Sequence, residues 1–201
     1  MGKNFETLCN SLKPLLQLSD HILIDKINAN FSSICQKYLR SVWISKLGFK
    51  TSKWNIIGPI FHRLEVLLHK SQVDWTIFWR ELSWYPVSQE HSVLRAFYDN
   101  TTYTSEWDQW LKDWKHQLRQ EQLSFKSISE QMLKVNPKYV PREWMLAKGY
   151  NDANNGNFKT LKELYNLFTH PYDEQLKYDN KWYILPELTI VPGITSMTCT
   201  S

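Results

Sequence analysis

Apolar residues recur at helical spacing along most of the chain. Between Ser19 and Leu47 they are spaced by 4, 4, 3, 4 and 4 positions, which places them on one face of a long helix. The residues of this face are Leu23, Ile27, Phe31, Ile34, Tyr38 and Val42. Gly48 stands where such a helix would end. A second stripe runs from Trp54 to Leu68, and Gly58-Pro59 predicts a start or a kink in that helix.

Shorter amphipathic segments follow and predict further helices over 74–82, 90–98, 105–118, 124–135, 142–154 and 158–168. The segment Ser105 to Asp108 has the pattern of a capping box at a helix start. The apolar face after it is rich in tryptophan: Trp107, Trp110, Leu111, Trp114 and Leu118. Beyond Pro171 the helical spacing stops. We therefore predict an all-α, bundle-like fold with an irregular C-terminal tail.

The amino-acid composition argues against several classes of protein. The 201 residues include only 6 Gly and 8 Pro, which argues against a turn-rich β-sandwich and against disorder, and the net charge of +4 does not indicate nucleic-acid binding. No stretch approaches the roughly 20 apolar residues of a membrane span, and no signal peptide is recognisable, so we expect an intracellular protein. The three cysteines form no C-x-x-C pair, which excludes the common zinc and thioredoxin motifs.

The motifs of common enzymes are missing from this sequence. A phosphate-binding loop needs clustered glycines, because only glycine lets backbone N–H groups approach the phosphates, and no two glycines here lie within six positions. Serine-hydrolase, zinc-protease and kinase signatures do not occur either. The sequence therefore predicts no catalytic, cofactor-binding or metal-binding residue on this chain.

Three weaker groupings have a structural interpretation that is preferred to a functional one. The first resembles a metal site, the second a nucleic-acid surface, and the third an acid–base cluster. They are His62, Glu65 and His69; Lys112, Lys115, His116, Arg119 and Lys126; and His170, Asp173 and Glu174. The first and second flank buried stripes, and the third follows a helix end, so solvated polar residues explain all three.

Cys199 differs from the other cysteines because it lies three residues from the end, on a segment without helical periodicity. Thiol exchange requires such access, so Cys199 is a redox candidate, with an inert cysteine as the equally weighted alternative.

Several segments together resemble the selenoprotein O (SelO) family of protein adenylyltransferases. The most specific runs from Asn136 to Leu146 and is similar to the family's NPK(Y/F)V element. The other similar segments, in chain order, are Lys46-Leu47-Gly48-Phe49, Asp74-Trp75-Thr76 with Phe78-Trp79-Arg80, Gly156-Asn157-Phe158 and His170-Pro171-Tyr172-Asp173-Glu174-Gln175. Cys199 occupies the third-from-last position, where family members carry cysteine or selenocysteine. Pro141 and Asn157 depart from the usual pattern.

This resemblance implies a kinase-like (pseudokinase) fold that binds ATP and Mg²⁺ and transfers AMP to Ser, Thr or Tyr of substrate proteins. The family's ATP- and metal-binding residues precede the region matched here, so none is carried over, and we expect a C-terminal portion that is inactive alone. Its partners would be the missing N-terminal kinase-like half and the substrate proteins, with neither nucleic acid nor a membrane span. The family's location is mitochondrial in a eukaryote and cytoplasmic in a bacterium. Cys199 would engage a cysteine of the missing half.

Two hypotheses thus remain open from the sequence. The first is a SelO-like C-terminal portion, with late helices of the kinase-like domain over 1–102 and a helical extension with tail over 103–201, packed as one unit. The second is a non-catalytic helical module that binds other proteins. The coding sequence upstream of Met1 would discriminate between them.

Overall fold

The computed structural model describes residues 2–88 and 90–186, and every regular element within them is helical apart from one isolated bridge between Val73 and Phe97. The predicted all-α class is confirmed. The α-helices of these residues are α1 (Gly2–Leu12), α2 (Leu18–Lys46), α3 (Trp54–Ser71), α4 (Trp75–Trp84), α5 (Ser105–Leu118), α6 (Phe125–Val135), α7 (Glu143–Asn154), α8 (Lys159–Thr169) and α9 (Asp179–Trp182).

The chain divides into two compact units, residues 1–44 and 45–201. The predicted boundary between residues 102 and 103 falls inside the second unit. The assignment of 1–102 to the kinase-like domain and of 103–201 to a helical extension stays a prediction. Cys199 and the rest of the predicted tail beyond residue 186 lie outside the described residues. No helix of the described residues is long and apolar enough to cross a membrane.

The first unit contains α1 and most of α2, where the ring of Phe5 stacks on Phe31 with the centroids 3.9 Å apart. The long helix predicted from the apolar stripe is confirmed. None of its 29 residues is buried, however, and the side chains of the predicted apolar face are largely exposed.

The second unit has its core around α5, whose three tryptophans are fully buried. Their indole N–H groups all find acceptors at 2.9 Å: Trp107 donates to Ser71 Oγ, Trp110 to the Ile60 carbonyl and Trp114 to the Leu47 carbonyl. A buried indole N–H needs a hydrogen-bond acceptor. Because these three bonds supply one each, the large aromatic side chains fill the core without leaving their N–H groups unpaired.

Three local predictions are corrected by the structure. The capping box at Ser105 is wrong: Thr104 is the N-cap residue, in extended conformation and without a side-chain cap bond, so Ser105 already belongs to the first turn. Helix α3 begins at Trp54 rather than at Gly58-Pro59, and its buried face compensates for the one backbone bond that Pro59 removes; the alternative of a kink there stays a prediction. The helix expected over 90–98 is only a 3₁₀ turn, Val93–Ala96.

Gly48 ends α2 in a conformation that only glycine adopts easily, with φ at +83°. A Cβ atom there would lie 2.7 Å from Met132 Sδ and 2.8 Å from Ile128 Cγ2. The close approach of α6 to this turn therefore requires glycine for two independent reasons.

Candidate functional site

Helix α4 carries two charged residues into the protein interior. Its first turn is fixed by Asp74, whose Oδ1 accepts a bond of 2.9 Å from the Ile77 N–H. About two turns further along, the adjacent residues Arg80 and Glu81 are 2% and 0% exposed. Buried charges are costly unless they are paired and hydrogen-bonded, so their partners define the site.

All five N–H groups of Arg80 have acceptors. Nε and Nη2 donate to Glu174 Oε1 at 3.0 and 2.5 Å, and Nη2 also donates to the Tyr172 carbonyl at 2.8 Å. Nη1 donates to the carbonyls of Leu133 and Asn136 at 3.0 and 2.9 Å. The guanidinium thus joins α4 to the end of α6 and to the segment after α8, which is a role that its rigid fork of donors suits.

Lys138 reaches the same carboxylate from another side. Its Nζ donates to Glu174 Oε2 at 2.6 Å and to Asp179 Oδ2 at 2.8 Å, and the lysine is itself buried. Burial raises the pKa of Glu174, but the bonds from Lys138 and Arg80 outweigh this and hold that pKa below its usual value. The Tyr139 hydroxyl donates to Asp179 Oδ1, and burial together with this carboxylate raises the pKa of the phenol.

Glu81 is surrounded in the same way. Its Oε1 accepts from Arg95 Nη1 at 3.0 Å and from the Tyr183 hydroxyl at 2.9 Å, and its Oε2 lies 3.0 Å from His91 Nδ1. Burial and the nearby Glu81 raise the pKa of Tyr183. We call these residues the charged cluster, and its members are Arg80, Glu81, His91, Arg95, Lys138, Tyr139, Glu174, Asp179 and Tyr183.

A pocket of about 230 Å³ lies against the charged cluster. Three cations and three carboxylates line it, so it favours neither an anion nor a cation, and each of these groups already has a partner of opposite charge. General acid–base catalysis needs a group that is free to exchange its proton with a substrate. The charged cluster instead ties separate segments of the chain together.

The charged cluster also does not fit ATP with Mg²⁺. A magnesium ion takes carboxylate or phosphate oxygens, but Glu81, Glu174 and Asp179 are engaged by Arg95, Arg80 and Lys138. Among residues 2–88 and 90–186, no group of three or more His, Cys, Asp and Glu side chains could hold a metal ion. No reaction step is therefore assigned to this group of residues.

Two of the three weak groupings from the sequence, the one on α3 and the one around α5, are placed as their structural interpretation predicts. His62 contacts Glu65 at 2.9 Å on the exposed side of α3, and His69 is exposed as well. The tryptophans near the basic residues of α5 are buried and cannot stack on bases, while Lys115 Nζ lies over the rings of Tyr85 and Phe125.

Glu174 is the residue whose role the sequence did not reveal. His170 and Asp173 are exposed, and the structure does not bring them together with Glu174 into an acid–base cluster. Glu174 binds two buried cations that lie 94 and 36 positions away in the sequence. No local signal distinguishes it from Asp173, because only the pairing across the fold does.

Four of the segments that suggested a family in the sequence meet here, whereas Gly156-Asn157-Phe158 is exposed and takes no part. Asp74 forms a bidentate pair with Arg142, with distances of 2.6 and 2.9 Å. Asn136 accepts from Lys46 Nζ at 2.6 Å and donates to the Lys46 carbonyl and to Ser83 Oγ. Together with the Arg80–Glu174 pair, these contacts join motifs that lie far apart in the sequence.

A comparison with known families decides the assignment, because the sequence model of the protein adenylyltransferase SelO family matches residues 1–169. The chain belongs to the SelO family. Its relatives include protein nucleotidyltransferases YdiU of Flavobacterium johnsoniae, 29% identical over 98% of this chain, and of Aliivibrio fischeri, 29% identical over 92%. The YdiU protein of Cupriavidus pinatubonensis is 33% identical over 58% of the chain.

The chain spans much less than the full length of these SelO relatives. It covers 39% of the Flavobacterium protein and 36% of the Aliivibrio protein. The match to relatives named as nucleotidyltransferases therefore concerns only a part of each of them.

Proposed function

We propose that this chain is the C-terminal portion of a SelO-type protein adenylyltransferase, whose complete form transfers AMP from ATP to Ser, Thr or Tyr of other proteins. The observation that carries the proposal is the family match over residues 1–169 combined with the 36–39% coverage of the relatives. The ATP, the Mg²⁺ and the catalytic residues would then belong to the unmatched part of the protein.

The contribution of this chain would be a scaffold. The charged cluster and the Asp74–Arg142 pair lock α4 to segments that follow α6 and α8, and their ionisable groups are occupied in doing so. A rigid helical support of this kind can hold a catalytic domain in its productive geometry while it contributes no group to the reaction.

A chimera tests the proposal. In the Flavobacterium johnsoniae YdiU protein, the segment matched by this chain is replaced with this chain, and transfer of labelled AMP from ATP is measured with Mg²⁺ or Mn²⁺ and with substrate proteins. We expect transfer by the chimera and by the unaltered relative, and none by this chain alone.

Two results would contradict the proposal. Robust labelling by this chain alone would place catalytic residues on it. A folded chimera without transfer, beside an active relative, would favour the alternative of a non-catalytic module that binds other proteins. A chimera carrying Asp173→Asn controls for unspecific effects of substitution, since Asp173 is exposed and lies next to the charged cluster.

A further inference from the structure

Helix α2 presents an uncovered apolar face along most of its length. At about 1.5 Å per residue its 29 residues extend about 43 Å, and no residue of it is buried. Leu23, Ile27, Ile34, Tyr38 and Val42 are 46–65% exposed. At 3.6 residues per turn these five side chains lie within an arc of about 100°. We call them the α2 face.

A face of this kind normally has a partner. Long helices in proteins are stabilised mainly by packing of their apolar side, and soluble proteins rarely leave a contiguous apolar stripe in water. Within the first unit, α1 contacts this side of α2 at Phe31, on whose ring Phe5 stacks, and the five side chains of the α2 face stay exposed. Lys26 and Lys37 are exposed and flank the α2 face on one side. The surface that covers it should therefore be apolar, with carboxylates at one edge.

From this face, together with the proposed function on which the inference rests, we infer that α2 is the docking surface for the part of a SelO-family protein that this chain does not match. The face lies inside the region matched by the family, residues 1–169, and the relatives have more than half of their length beyond the matched segment. A large additional body is thus available in the relatives to cover the α2 face.

Binding between separate proteins provides the first test. The unmatched part of the Flavobacterium johnsoniae YdiU protein is titrated with this chain and with the variant Ile27→Asp/Ile34→Asp. The control is Ser32→Asp/Gln36→Asp, which adds the same charges to exposed positions on the other side of α2. We expect the chain and the control to bind alike and the Ile27/Ile34 variant to bind at least 100-fold more weakly. Equal binding by all three, or binding by none to a folded unmatched part, would overturn the inference.

A second measurement covers the case in which the unmatched part does not fold alone. In the chimera described above, Ile34→Cys and Gln36→Cys are alkylated under native conditions and followed by mass spectrometry. We expect Cys at position 34 to react at least tenfold more slowly than at position 36. Equal rates would show that the α2 face is not covered.

A measurement of the oligomeric state tests the other candidate for covering the α2 face, which is a second copy of this chain. If the chain forms a dimer that the Ile27/Ile34 substitutions dissociate, while binding to the unmatched part is unchanged, the second copy covers the face and the inference is wrong. Protection of position 34 in a chimera that does not transfer AMP would support the docking surface and contradict the proposed function. Transfer of AMP by a chimera in which position 34 is not protected would support the proposed function and contradict the docking surface.

Discussion

Glu121 holds a turn of the chain through five hydrogen bonds, and its removal should be costly. Its Oε2 accepts from the N–H groups of Lys50 and Thr51 at 3.1 and 2.9 Å and from Thr51 Oγ1 at 2.8 Å. Its Oε1 accepts from the N–H and the hydroxyl of Ser52 at 3.0 and 2.5 Å. The residue is 2% exposed. Because these donors converge on one carboxylate, the variant Glu121→Gln tests what the negative charge contributes.

The size of the expected destabilisation follows from the pKa of Glu121. Burial raises the pKa of Glu121, but the bonds from Ser52, Thr51 and Lys50 together lower it from 4.5 to about 2. Such a shift corresponds to about 3 kcal/mol of stability, present above the unfolded pKa and lost as the pH falls towards 2. The bonding gives a similar figure: a glutamine would point its NH₂ at Ser52 and leave one backbone N–H unpaired, at about 1–3 kcal/mol.

The assay is urea unfolding followed by tryptophan fluorescence at pH 7 and pH 3. We expect Glu121→Gln to lower the free energy of unfolding by about 2–3 kcal/mol at pH 7, and more than half of this difference to disappear at pH 3. Glu130→Gln, at an exposed position of α6, is the matched control and should change little. A loss below about 0.5 kcal/mol, or a loss that is equal at both pH values, would refute the reasoning.

Four further predictions concern the other contacts. Glu174→Gln should lower the free energy of unfolding by about 2–4 kcal/mol in the same urea assay, since it leaves the buried Arg80 without a carboxylate while Lys138 keeps only Asp179, whereas Asp173→Asn should be near neutral. Asp74→Asn should cost about 2–4 kcal/mol by weakening the pair with Arg142, and a cost equal to that of Asp99→Asn, an exposed cap, would contradict this. Gly48→Ala should lower the melting temperature more than Gly156→Ala does, because both residues have positive φ but only position 48 lacks space for a Cβ. Equal losses in melting temperature would contradict this. Cys199 should be alkylated faster than Cys9 and Cys35, which are buried and half-buried; mass spectrometry showing slower labelling of Cys199 would contradict the redox hypothesis.

The pattern of apolar residues determined the helices of this protein. The stripes of α2, α3 and α5 are visible in the sequence because helical periodicity is a local property, repeated over many residues. Helix starts were less certain: Thr104 rather than Ser105 is the N-cap residue of α5, and α3 begins before Pro59. Caps and kinks depend on a few backbone bonds, which the surrounding packing can override.

Only the tertiary structure decided what the charged residues do. The sequence shows Arg80, Lys138 and Glu174 as members of three separate motifs. The fold brings the Glu174 carboxylate to 2.5 Å from the Arg80 guanidinium and 2.6 Å from the Lys138 ammonium. It also shows that the apolar stripe of α2 is exposed while that of α5 is buried, although the two patterns look alike. Periodicity states which side chains share a face. Whether that face meets another part of the protein depends on contacts between residues far apart in the chain, and these are set by the packing of the whole fold.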